Sequence, residues 1–465
     1  MAQKIKHIRP SRSVLPVSVL LILLCVAGFL DGMDVSSMGV VLPIIQHSLH
    51  MNAQSLQWII SGYVLGYGGF MLLGGRIADL YGRKRVFIIS MVLFALASLV
   101  GGFAQDGSVL VASRIIKGVC AGFTAPAALA LLLGLYADAK ERNRALGIFS
   151  STAAVGFATG VAIGGFLGDI SWRLVMFLPV PFVLLVVALG AIGLRPDPEA
   201  QTKKRFDLVG AILGTAGLLT LVLGATQAAT YGWLAFATWG PLLGSILLLA
   251  AFLLYEHRIA TPLMPLSIFR RPGLGFAGIM AFFMQGNYVS YQFVAALYFR
   301  SVLGWSGSQS ALAFVFAGLI VVFMATRFAG LALRIGSTAV VALGMTLEAL
   351  GFLWFFLMHG HMPALPLVAV TQLLIGSGVA ASLPSINITG LVHTKEAEHG
   401  LASGIVLSAF QIGGGVLVAV TASVYAASNP AMLTKYTQAL LVVVCASAIA
   451  ATVAITLWRH ERATK

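Results

Sequence analysis

The chain has 465 residues, of which 59% are hydrophobic and 9% charged, with a mean hydropathy of +0.96. Too few polar side chains remain to coat a water-facing surface, which excludes a soluble globular protein. The formal charge of +14 comes from bases in short segments between apolar runs rather than from one basic face, which excludes a nucleic-acid binder.

Apolar runs long enough to cross a bilayer, about 20 residues each, recur fourteen times. They lie at 14–38, 54–75, 86–104, 108–134, 145–168, 173–194, 207–230, 234–255, 274–299, 308–329, 336–357, 363–391, 401–426 and 435–458. Lys4, Lys6, Arg9 and Arg12 ahead of the first run imitate a secretory signal. That run carries Asp31 and Asp34 and leads into Pro43 without a small-residue cleavage site, so it reads as an uncleaved first span. If the N-terminus is cytoplasmic, the cytoplasmic segments hold 24 Lys/Arg, against Arg173, Arg300 and Lys435 outside. This asymmetry predicts that both ends are inside, with an even number of spans in a cytoplasmic membrane.

Between the second and third runs stands GGRIADLYGRKRVF, residues 74–87. Its glycines let two helices approach and turn tightly, Arg83, Lys84 and Arg85 hold the loop inside, and Asp79 at a helix end needs a base or a helix N-terminus as partner. The fourth span buries Arg114 and Lys117, three apart and so on one helix face, as Asp31 and Asp34 are on the first. Two acids can thus face two bases. A charge at the bilayer centre costs at least ~2.5 kcal/mol, so such groups pair or face a cavity. In the fifth span GFATGVAIGG places small residues at 156, 160, 164 and 165, which permits close helix packing.

RPDPEAQTKKRF, residues 195–206, is the most polar internal stretch and a natural boundary after six spans. RFAGLALRIG, residues 327–336, looks like a worn copy of the 74–87 loop, with Gly330, Arg334 and Gly336 at the corresponding places, as a duplicated transporter half would produce. In the ninth span, Gln285, Tyr288 and Gln292 follow helical spacing, with Asn287 and Tyr291 beside them. This aromatic and amide stripe suits a flat, amphipathic ligand. Glu348, mid-span, is the only other deeply placed acid, read as a satisfied structural acid or a minor proton site. Cys25, Cys120 and Cys445 show no paired spacing, and His359 and His361 lack further ligands, so neither a disulfide framework nor a metal site is expected. No GxxxxGK[ST] string is present to cradle ATP, no Ser/His/Asp constellation emerges, and neither enzymatic activity nor a cofactor is expected.

The 74–87 string closely resembles the loop signature of the major facilitator superfamily, with Gly75, Asp79, Gly82, Arg83 and Lys84 at matching positions. LDGMDVSSMGVVLP resembles a first-helix signature of its fourteen-helix drug:proton antiporters, with Asp34 nine residues before Pro43 and Gly39 where Asn is usual. SRIIKGVCAG resembles the buried-Arg signature, with Arg114 and Gly118 matching and Lys117 in a place commonly taken by Gln. GFATGVAIGG resembles the antiporter signature, with Val161 in place of a Pro. YEHRIATPLMPLSIFRRP at 255–272 and GLASGIVLSAFQIGGG at 400–415 resemble the same branch. The resemblance implies an all-α membrane protein with the major facilitator fold. Two six-helix bundles, 1–194 and 273–465, would flank a segment, 195–272, of linker, two insert helices and a following loop. It also implies that spans 1, 4, 9 and 12 line a cavity.

The function so implied is proton-driven export of hydrophobic or amphipathic small molecules by alternating access. Proton coupling falls to Asp34 first, then Asp31, with Arg114 as modulator; substrate binding falls to Lys117, Gln285, Asn287, Tyr288, Tyr291 and Gln292; the 74–87 loop serves as conformational switch. The expected partners are substrate, protons and lipid, and a periplasmic adaptor is compatible but not demanded. Two alternatives stand beside this reading: a carrier or symporter of an organic anion, favoured by the extra charge of Lys117, and a non-transporting membrane sensor.

Overall fold

A computed structural model describes residues 15–136, 138–194, 207–259, 262, 266–270, 273–392, 394, 399–428 and 432–463. The N-terminal bases and the 195–206 linker lie outside these residues, as do parts of 255–272. Among the described residues the first half comprises α1 (Val17–Ser48), α2 (Ala53–Tyr81), α3 (Arg83–Gly102), α4 (Gly107–Leu135), α5 (Ala139–Ile170), α6 (Trp172–Phe177) and α7 (Pro179–Gly193). Then follow α8 (Leu208–Tyr231), α9 (Phe236–Arg258), α10 (Leu274–Ser301), α11 (Gly307–Ile335), α12 (Ser337–Met358), α13 (Ala364–Leu391), α14 (His399–Ala427) and α15 (Met432–Ala463).

Each of the fourteen expected spans coincides with a helix. The sixth is split into α6 and α7, because Pro179 opens a new helix directly after Leu178 and Pro181 follows within its first turn. From α8 onward the helix label therefore runs one ahead of the span number. The first span is longer than its expected end at 38: α1 continues through a buried Pro43 to Ser48. The apolar run Val40 to Ile45 supplies enough buried contact to offset the one backbone donor that proline lacks. Eleven described segments are long and apolar enough to cross a membrane by themselves, and α2 makes a twelfth if its two bent parts count as one span. Of the remaining two, α5 contributes the shorter apolar stretch Val155–Ile170, and α10 carries amides and tyrosines along its length.

The packing repeats between the halves. In the first bundle α1 packs on α5, α2 on α4, and α3 on α4 and α7; in the second α10 packs on α14, α11 on α13, and α12 on α13 and α15. Every pair in one half is the counterpart of a pair in the other, which is how a duplicated six-helix unit packs. The bundles meet through α5 with α11, α2 with α14, and α1 with α10. The insert pair α8–α9 leans on α2 and α14 together, so it covers the seam: Gln57 Nε2 donates to the Thr226 carbonyl at 3.2 Å. At the end remote from the basic loops, Asp169 at the close of α5 accepts from the Gly307 and Ser308 amides at 3.3 and 3.2 Å, joining the two bundles through the N-terminus of α11.

Small residues set the closest approaches. A Cβ at Gly164 would lie 2.7 Å from Ser37 Cα, and one at Gly165 would lie 2.6 Å from the Gly307 carbonyl. The stripe expected in the fifth span therefore fastens α5 to α1 on one side and to the other bundle on the other. α5 runs unbroken past Val161, which is buried in the same apolar cluster as Val40 of α1.

Candidate functional site

The interior of the first bundle holds three charges in mutual contact. Asp34 on α1 accepts from Arg114 Nη1 on one oxygen and from Lys117 Nζ on the other; all three side chains are at most 1% exposed. Spacing of three along α4 puts both bases on one face, and Gly118 leaves no room for a side chain against the Tyr63 carbonyl, so α2 and α4 touch backbone to backbone there. Further bonds and rings hold both bases in place. Arg114 Nε donates to the Ile59 carbonyl at 3.0 Å, and its guanidinium lies 4.4 Å over the Tyr63 ring. Lys117 donates to Ser98 Oγ at 3.0 Å and lies 4.6 Å over Phe94, while Ser98 donates to the Met176 carbonyl at 2.5 Å. This is the hydrogen-bonded environment that makes a buried ion cluster tolerable.

Asp31 does not join it. Instead of two acids each facing a base, Asp34 takes both bases, and the Asp31 carboxylate accepts from the Tyr63 hydroxyl. The Tyr67 hydroxyl lies in hydrogen-bonding reach of Asp31 and also of Gln411, which belongs to α14 in the other bundle. The physical reason is the Tyr63 side chain, whose ring occupies the face of Arg114 and whose hydroxyl reaches Asp31, standing between acid and base. Asp34, Arg114 and Lys117 together carry one net positive charge; ionised Asp31 neutralises the group, and protonated Asp31 leaves the excess uncovered. Tyr63, Tyr67, Ser98 and Gln411 went unnoticed in the sequence, where only the i, i+4 spacing of the two tyrosines hints at a shared face.

In the 74–87 loop, Asp79 finds a base as partner: Arg83 donates to it from Nη2 at 2.9 Å and Nε at 3.1 Å. Arg83 also reaches the Ala130 carbonyl at 3.4 Å near the end of α4, and Lys84 donates to the Ala191 and Leu194 carbonyls, both at 2.7 Å, at the end of α7. Lys84 thus caps the C-terminus of α7, whose carbonyls would otherwise lack partners, while Arg83 ties the loop to the last two turns of α4. Gly82 turns the chain at φ 102°, ψ 127°, and Gly336 in the worn copy adopts φ 94°, ψ 143° at the same junction of the second bundle. Gly75 lies where a side chain would meet Pro126 at 3.5 Å.

The residues expected to bind substrate separate into three groups. Lys117 belongs to the ion cluster. Tyr291 is fully buried among Phe314, Phe352 and Phe355 inside the second bundle, because its spacing aims it at α11 and α12 rather than at the seam. Tyr288 and Gln292 do face the first bundle: the Tyr288 ring meets Phe157 of α5 at 5.4 Å, and the Gln292 amide lies 3.8 Å from the Cβ position of Gly39 on α1. Gln285 packs along Gly414 of α14. Both polar atoms of Asn287 and the Gln292 Nε2 are buried without a protein partner among the described residues. Of the two histidines, His359 is engaged by the protein on both ring nitrogens, Nδ1 with the Phe356 carbonyl at 2.7 Å and Nε2 with Thr437 Oγ1 at 3.0 Å.

Two packed bundles of apolar, membrane-length helices, one with charges buried in its interior, define a multi-pass membrane transporter. The sequence matches the family described as Major Facilitator Superfamily over residues 24–417. The chain belongs to that superfamily. It is 35% identical to the cephamycin export protein CmcT of Amycolatopsis lactamdurans over 432 residues, covering 90% of this chain and 88% of that one. It is 31% identical to the puromycin resistance protein pur8 of Streptomyces alboniger, covering 90% of this chain and 83% of the relative. Among solved structures, a peptide transporter POT in complex with sulfate shares the fold with a TM-score of 0.70 at 16% identity, covering 95% of each chain.

Proposed function

We propose that this protein exports hydrophobic or amphipathic small molecules across the cytoplasmic membrane in exchange for protons. Similarity along most of the chain to proteins named for cephamycin export and puromycin resistance supports export and the substrate class. The basic loops define the cytoplasmic end, with both termini on that side, and the unit boundaries are those at 194 and 273.

The single observation that carries the coupling is the unequal treatment of the two acids on α1. Asp34 is fixed between two cations, whereas Asp31 is bonded, among the described residues, by tyrosine hydroxyls alone. Asp31 is therefore the group that changes charge, and Asp34 with Arg114 and Lys117 is the fixed field that makes the change felt, reversing the order expected from the sequence. Protonating Asp31 turns a charge-assisted hydrogen-bond acceptor into a neutral one. It weakens the hold of Tyr63 and Tyr67, and through Tyr67 and Gln411 it loosens α2 from α14, where the bundles must part for the site to change sides. Deprotonation restores the neutral cluster and closes the seam. Substrate lies against the seam-facing residues Tyr288 and Gln292, with Asn287 and Gln285 on the same helix.

Inverted vesicles with an acidic interior test this. A cationic dye such as ethidium accumulates inside, a protonophore abolishes the accumulation, and Asp31→Asn does not accumulate dye although it is inserted in normal amount. Accumulation that persists in Asp31→Asn would remove Asp31 from coupling; uptake of organic acids alone would replace export with anion transport.

A further inference from the structure

The second bundle also contains a buried acid that nothing described so far uses. Glu348, at the midpoint of α12, is 1% exposed, and neither carboxylate oxygen accepts a hydrogen bond of normal geometry among the described residues. Among the described residues no cation is near it. The described charged residues of the helices packed on α12 lie toward the helix ends: Arg327 and Arg334 on α11, Arg300 on α10, and Lys435, Arg459, Glu461 and Arg462 on α15, while α13 carries no charged residue. The titratable groups closer in are Tyr288 and Tyr291 on α10 and Cys445 on α15, none of which supplies a positive charge. The expectation that Glu348 is a satisfied structural acid is therefore corrected.

Its surroundings are polar and equally unsatisfied, but they are not roomy. A Cβ at Gly378 on α13 would lie 2.6 Å from Glu348 Cγ and 2.7 Å from the Gly344 carbonyl, so the acid is pressed against the α13 backbone where an organic cation cannot fit. Beside the carboxylate stands Ser382. Ser382, Ser385 and Thr389 follow one another at spacings of three and four on one face of α13. The hydroxyls of Ser382 and Ser385 are buried without a partner. Ser382 meets α12 at Gly344, and Thr389 donates to Ser337 at the start of α12 at 2.8 Å, so the file faces α12 along its whole length. It ends at the basic end of the bundle.

We propose that Glu348 is a second proton-binding site, connected to the cytoplasmic face by the hydroxyl file Ser382, Ser385, Thr389 and Ser337. A carboxyl group in an apolar interior without a counter-charge is held in its neutral form, and the ligand small enough to reach it is a proton. In the outward step the Ser382 and Ser385 side chains, which hold no partner here, turn to bridge Glu348 to Thr389, and the Glu348 O–H bond breaks as Ser382 accepts the proton. Each hydroxyl then passes its own proton to the next oxygen, and the last goes to water at the cytoplasmic face. The orientation of the file rests on the proposed function; the proton site itself does not.

The test is infrared difference spectroscopy of the purified full-length protein in lipid nanodiscs, titrated from acid to alkaline buffer without substrate. A protonated-carboxyl band is expected in the unmodified protein and in Asp31→Asn, and it is lost in Glu348→Gln. Ser385→Ala keeps the band but slows its hydrogen–deuterium exchange severalfold. Should Glu348→Gln fail to fold, Glu348→Asp serves instead and shifts the band rather than removing it. A spectrum of Glu348→Gln identical to that of the unmodified protein would overturn the site, and an unchanged exchange rate in Ser385→Ala would overturn the route. Because no transport is measured, either result stands apart from the dye experiment: loss of the band in Glu348→Gln together with full transport by Asp31→Asn would sink the export mechanism and leave this site intact.

Discussion

The two bundles share one packing plan but treat a buried acid in opposite ways. In the first, Asp34 is bracketed by Arg114 and Lys117, and those bases are braced in turn by Ile59, Ser98 and two aromatic rings. In the second, Glu348 has no base beside it and no donor in normal hydrogen-bond geometry among the described residues. A paired buried charge is costly to disturb and keeps its charge, while an unpaired carboxyl stays in the membrane interior chiefly as a neutral acid. One packing plan thus holds two different interiors, one with a closed ion cluster and the other with a buried acid that has no counter-charge among the described residues. The basic loops show the same divergence: Lys84 caps α7 and Arg83 is tied to α4, whereas around Gly336 the worn copy keeps the turn.

The largest expected effect follows from removing the centre of the paired cluster. Asp34→Asn leaves two cations buried against a neutral amide and costs about 3–5 kcal/mol of stability, seen as low yield and a markedly lower Tm in detergent. Adding Lys117→Gln to it recovers part of that loss. If Asp34→Asn were as stable as the unmodified protein, the cluster would not be the closed ion network described. Asp31→Asn, by contrast, exchanges one acceptor of tyrosine hydroxyls for another; Tm stays close to that of the unmodified protein while pH-gradient-driven dye uptake is lost.

Smaller effects compare the halves directly. Gly82→Ala and Gly336→Ala each force a side chain into a left-handed backbone at a cost of roughly 1 kcal/mol. The functional loss is greater for Gly82, because its displacement also shifts Arg83 and Lys84 from the α4 and α7 carbonyls that they hold; equal losses of dye transport would show that these contacts are dispensable. The smallest effect lies outside the membrane. Asp106 caps α4 through the Ser108 and Val109 amides at 2.8 and 3.1 Å, while α13, the counterpart of α4 in the second bundle, starts after Pro363 with no side-chain cap. The hydrogen bond from the Ser108 side chain, then those from the backbone, hold the Asp106 carboxyl below its usual range. Its contribution is therefore present at neutral pH and lost as pH falls through that depressed value. Asp106→Ala lowers Tm slightly at neutral pH, and the difference closes in strong acid.

Much of this architecture was legible in the sequence, for physical reasons. Hydrophobic length set every span, because a bilayer demands it, and the asymmetry of bases set an expected direction. The partner of Asp34 was also legible, since Arg114 and Lys117 were the only bases left inside a span. What stayed hidden depended on which way side chains face once helices pack. Tyr291 looks like part of a ligand stripe until α11 and α12 claim it. Lys117 looks like a substrate ligand until Asp34 holds it. Tyr63 belongs to the site only because Gly118 lets α2 approach α4. Glu348 looked ordinary because its lack of a partner is a property of its neighbours on α13, not of its own segment.

The measurement that tests the central claim most directly is proton release from purified protein in weakly buffered detergent solution when ethidium is added. The account predicts release by the unmodified protein, none by Asp31→Asn, and release retained by Asp34→Asn/Lys117→Gln where that variant folds. Full release by Asp31→Asn, with loss confined to the Asp34 variant, would contradict it and return the coupling proton to the ion cluster.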